Sequence, residues 1–176
     1  MEVLLLTDPV DSFWVRTALG FEGKPFKSVT QGVADLDLIK LKDEAKPEPA
    51  SADAVVLVAA MKQALGARVK DVRVSKRLTD SAVCLVADGM MDRTLEKLLA
   101  RQKDSTTTVS APILEINAGH PLLVALAKSV KDKGASSVED AAQLLLDQAF
   151  ILEGEPVADP SAFARRMADV MAKVFA

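Results

Sequence analysis

The scarcest chemical material in the sequence is one histidine, His120, and one cysteine, Cys84. Cys84 lies among Val83, Leu85 and Val86, which are the surroundings of a buried, inert thiol. A nucleophile there would need a base, and His120 is the one imidazole available. His120 follows Asn117-Ala118-Gly119 and precedes Pro121, so its type and place predict a residue at a helix N-terminus, tied to the loop that starts the helix. One imidazole excludes a multi-histidine metal site, and one thiol excludes an internal disulfide or a cysteine zinc site. Gly20-Phe21-Glu22-Gly23-Lys24 has the wrong glycine spacing for a phosphate loop, and Pro25 stands where a magnesium-binding hydroxyl belongs. Glu139 with Asp140, and Asp35 with Asp37, are surface or capping charges, with nothing to set one apart as acid and the other as base. The residues predict no catalytic, cofactor-binding or metal-binding group.

What remains is apolar patterning. Met91, Leu95, Leu98 and Leu99 fall on one helical stripe, with Met90 at its edge and Asp92, Arg93, Glu96, Lys97 and Arg101 on the other face. Such a stripe either packs on the chain's own sheet or serves as an adaptable adhesive face for other chains. Phe163, Met167, Val170, Met171 and Val174 form a second stripe. The helix before it carries Ala142, Leu145, Leu146, Ala149, Phe150 and Leu152. A short loop with Gly154 and Pro160 joins the two into an antiparallel hairpin. Its apolar surface exceeds what one small sheet covers, and a two-fold four-helix bundle in a homodimer would complete the cover.

Elements must hold these stripes in place. The chain has 176 residues, 49% of them hydrophobic and 27% charged, which is enough apolar material for a core. A net charge of −3 gives no general attraction for nucleic acid or anionic lipid. No apolar run approaches the ~20 residues of a membrane span, no secretory signal opens the chain, and cytoplasmic residence is expected. Residues 2–7 read as a buried strand. Asp8 then caps a helix with Pro9 in its first position, running through Phe13, Trp14 and Leu19 to Gly20. A turn at Gly23-Lys24-Pro25 leads to a short strand near residues 26–29. Residues 40–49 are charged and broken by Pro47 and Pro49, and read as a linker. Domains are accordingly expected at 1–45 and 46–176. The second is α+β, a small mixed sheet with helices. Ser51 or Asp53 caps a helix ending at Leu65-Gly66, and strands at 70–78 and 82–87 make a hairpin. A helix at 91–102, a strand at 112–117 and a helix at 120–130 follow. A capping box from Ser136 to Glu139 opens the next helix, and Asp159-Pro160 starts the last.

Leu114-Glu115-Ile116-Asn117-Ala118-Gly119-His120-Pro121-Leu122 resembles the Leu-Glu-Ile-Asn-x-x-His-Pro-Leu segment of the heat-shock protein 90 chaperone family. Other stretches agree in order: residues 2–11 with a late middle-domain strand and helix, Gly23-Lys24-Pro25-Phe26 with the following turn, residues 69–81 with the first strand of the C-terminal domain. Leu144-Leu145-Leu146-Asp147-Gln148-Ala149 and Asp159-Pro160-Ser161-Ala162-Phe163 resemble the dimerisation helices. The resemblance covers almost the whole chain. The short linker and the ending without an acidic tail are similar to the bacterial type.

The resemblance implies a fragment, the end of the middle domain plus the whole C-terminal domain, of a chaperone whose full-length form binds ATP and magnesium. It implies a homodimer held through Leu145, Ala149, Phe150, Phe163, Met167, Val170, Met171 and Val174. It also implies contact with non-native client proteins through Phe13, Trp14 and Arg16, beside Ser12, and through Met90, Met91, Leu95, Leu98 and Leu99. No catalysis is expected of this chain itself. The alternatives are a plain oligomerisation adaptor, or a small α+β hydrolase using His120.

Overall fold

The computed structural model describes residues 4–8, 10–18, 20–26, 51–88, 93 and 110–175. The chain divides into two units: residues 1–44 with 86–111, and residues 45–85 with 112–176. The class is α+β, as expected.

In the first unit, helix α1 spans Asp11–Thr17. Asp8 is not the expected cap: the N-cap is Val10, which has no side-chain cap bond, and Asp8 lies two residues before it. Its Oδ1 accepts from Val10 N at 2.9 Å, and Asp11 Oδ2 accepts from Asp8 N at 3.0 Å. The helix closes at Thr17, short of the expected Gly20. Residues 4–7 are not the expected buried strand. They lack regular structure, and Leu4, Leu5 and Leu6 are exposed, Leu5 by 89%. A strand needs a partner ladder for its backbone groups, and none of the described residues pairs with it. The expected turn at Gly23-Lys24-Pro25 is closed by Phe21 and Lys24, which exchange both backbone hydrogen bonds at 2.9 Å, with Glu22 and Gly23 at φ 48° and 75°. Leu19, all but Phe26 of the strand expected at 26–29, the linker at 40–49 and all but Arg93 of the helix expected at 91–102 lie outside the described residues.

The second unit is built on a three-stranded mixed sheet of β1 (Asp71–Val74), β2 (Val83–Val86) and β3 (Ile113–Ile116). The order is β1-β3-β2, with β1 and β3 parallel. The expected β1–β2 hairpin is therefore wrong. All four residues of β3 are buried, making it the most enclosed strand, and the central position lets it bond on both sides. Strand spacing explains how the chain manages this: β1 and β2 need cross only about 10 Å, well within the reach of the connecting residues. β1 also stops before the expected Leu78. Ser75 Oγ accepts from Arg77 N at 3.2 Å and Leu78 N at 3.3 Å, and this side-chain turn ends the strand.

Helices cover the sheet. α2 (Ala52–Leu65) begins at Ser51, whose Oγ accepts from Ala54 N at 3.2 Å, and ends at Gly66 at φ 52°. It buries Ala54, Leu57, Met61 and Leu65, one stripe at helical spacing. α3 (Pro121–Lys133) buries Leu123, Ala127 and Val130, and α4 (Glu139–Leu152) buries Ala142, Leu145, Leu146 and Ala149. These stripes meet Val72, Val83, Leu85, Leu114 and Ile116 in a single core. The expected capping box at Ser136–Glu139 does not form. Residues Ala135–Val138 are a 3-10 turn, and Ser137 Oγ donates to Gly134 O at 2.7 Å, so α4 starts without a side-chain cap. α5 (Pro160–Phe175) opens as expected, with Asp159 Oδ1 accepting from Ala162 N at 2.9 Å.

Candidate functional site

The titratable groups of the sheet neutralise one another. Glu115, 5% exposed in central strand β3, stands in register with Arg73 of β1. Its Oε1 accepts from Arg73 Nε at 3.0 Å and Nη2 at 2.7 Å. Its Oε2 accepts from Ser75 Oγ and Arg77 Nε, each at 2.9 Å. Burial pushes this carboxyl up, but the bonds from Arg73 and Ser75 and the two guanidinium charges outweigh it and hold the group below the usual carboxylate range. Cys84 Sγ lies 3.8 Å from Glu115 Oε2 and 3.6 Å from Arg77 Nη2. Its burial pushes the thiol up against the pull of Arg77, the opposite of what a nucleophile needs. This network was not anticipated from the sequence. Alternation along β1 accounts for Arg73 alone, because the turn at Ser75 ends the strand before Arg77.

A second buried charge was also missed. Asp147 on α4 is 2% exposed and receives Arg68, which also bonds Gln143, one turn away. Gln143 Nε2 in turn donates to Ala64 O at 2.8 Å, tying α4 to the end of α2.

His120 is the N-cap of α3, its Nδ1 accepting from Leu122 N at 3.2 Å. The same corner is held by Asn117, whose Nδ2 donates to Thr79 O at 2.9 Å and whose Oδ1 accepts from Gly119 N at 3.0 Å. Nδ1 of the imidazole is thus engaged by the backbone that starts the helix. The Gly20–Lys24 turn folds back on its own backbone. A Cβ at Gly20, at φ 114°, would meet Lys24 O at 2.1 Å. Among the described residues no cluster of three or more His, Cys, Asp or Glu could hold a metal ion.

Two groups of exposed apolar side chains lie on helices expected to make contacts, one in each unit. In the first unit Phe13 and Trp14 on α1 are 40% and 48% exposed, and Trp14 packs on Phe26 with ring centroids 5.3 Å apart. Arg16 lies on the same helix. Met90, Met91, Leu95, Leu98 and Leu99 lie outside the described residues. In the second unit Met167, Val170 and Met171 on α5 are 39%, 38% and 54% exposed, and Phe163 is half-buried. Val174 follows on the same helix. Leu145 and Ala149 lie within the chain's own core, and Phe150 packs against it. Ile151 and Phe175 are exposed apolar residues that the sequence reading did not single out, and Leu152, expected on the apolar face of α4, is exposed as well. Arg166 Nε meets Asp140 Oδ1 at 3.3 Å and links α5 to α4.

Fold and surfaces together define an α+β chain that, among the described residues, pairs the buried carboxylates Glu115 and Asp147 with arginines and exposes apolar side chains on α1 and α5. It belongs to the Hsp90 family: the family described as "Hsp90 protein" matches residues 1–176. The chain is 54% identical over 178 residues to "Chaperone protein HtpG" of Azorhizobium caulinodans, covering 97% of this chain and 27% of that protein. It is 53% identical to the protein of the same name from Paramagnetospirillum magneticum, covering 98% of this chain and 29% of that one. The Rhizobium meliloti protein of that name is 49% identical over 176 residues. The chain thus spans little more than a quarter of the length of these relatives.

Proposed function

We propose that this chain is the dimerisation and client-contact module of an Hsp90-type chaperone working in the cytoplasm. The observation that carries the reading is the α5 stripe, where Met167, Val170 and Met171 stand exposed on one helical face. A row of that kind is stable in water when another surface covers it. In this reading α4 and α5 form a helical hairpin. Two copies pair through Phe163, Met167, Val170, Met171 and Val174 into a four-helix bundle, with Phe150 beneath. The exposed pair Phe13 and Trp14, with Arg16, then offers apolar and cationic contacts to non-native polypeptide, as does the stripe of Met90, Met91, Leu95, Leu98 and Leu99. ATP and magnesium act in the whole chaperone, through residues other than the closed Gly20–Lys24 turn.

Sedimentation equilibrium over a concentration series tests the first half. A dimer is expected, and a monomer at ~50 µM would overturn it, since a stable bundle of this size dissociates well below that. Suppression of aggregation of a thermally unfolded client tests the second half. Wild-type chain should suppress it and the Phe13→Ser, Trp14→Ser variant should do so several-fold less well. A dimer without suppression is a plain oligomerisation adaptor.

A further inference from the structure

We draw no further inference here: the strongest candidate, the open groove of about 460 Å³ between α3 and the first turns of α2, floored by Leu57, Leu123 and Ala127 and rimmed by Asp53, Lys128 and Lys131, carries charges of both signs, and nothing in the structure shows what covers it.

Discussion

Glu115 and Arg73 face each other across a parallel strand pair, one carboxylate oxygen accepting both Nε and Nη2 of the guanidinium. Parallel strands β1 and β3 have no short turn to fix their register. The ion pair does so from the side chains, because a slip of one residue would carry Glu115 away from Arg73 and reverse the faces of the strand.

Glu115→Gln should therefore lower stability by about 1–3 kcal/mol, the cost of leaving two guanidinium groups with a neutral acceptor, reduced because both arginines reach solvent. The deficit should depend on pH. The folded carboxyl titrates below its ordinary 4.5. Its contribution is thus complete above that value and is lost as pH falls from there through the folded value. Urea midpoints of wild type and variant, compared from pH 7 down to 3, should draw closer once the pH falls below 4.5. A gap that stays constant would show that the charge is not the source.

Cys84 should react slowly. Burial and the Glu115 charge both hold the proton on sulfur, and the thiolate is the reactive form. Alkylation by iodoacetamide at pH 7.5 is expected to run at least about tenfold slower in the folded chain than in urea. Equal rates would contradict the placement of the thiol.

Gly20→Ala should disturb the first unit alone. The added methyl meets Lys24 O at 2.1 Å, and φ 114° is itself strained for a side chain. The cost is about 1–3 kcal/mol or more. Trp14, the single tryptophan, packs on Phe26 just beyond this turn and reports on it. Its emission should shift toward that of exposed indole, while the far-ultraviolet unfolding midpoint of the second unit stays within a degree or two.

Leu145→Ala and Met171→Asp should separate core from surface. Leu145 is within the core, so its truncation costs about 2–5 kcal/mol of stability. Met171 is exposed in the single chain, so its replacement leaves the monomer's fold intact. It should instead weaken self-association by at least about tenfold, because a carboxylate in an apolar interface has no partner. Sedimentation beside thermal denaturation distinguishes the two. If Met171→Asp lowered stability without changing mass, the stripe would belong to the interior.

Much of the second unit follows from local pattern alone. Ser51, His120 and Asp159 each open a helix where residue type and position place them, because capping is decided within a single turn. The apolar face of α4 likewise follows from the spacing of its apolar residues. Three features needed the tertiary structure. Strand order is a contest between partners distant in sequence, and the fully buried β3 took the centre that a local hairpin reading gave away. The cap expected from Ser136 gives way to a 3-10 turn at Ala135–Val138, where Ser137 Oγ bonds Gly134 O and α4 starts from Val138 without a side-chain cap. The neutralisation of Glu115 by Arg73 and Arg77 depends on residues some forty positions apart meeting on one sheet. Period and composition mark which side chains avoid water. Only packing decides which buried charges find each other, and that is why the apolar stripes were legible while the ion network was not.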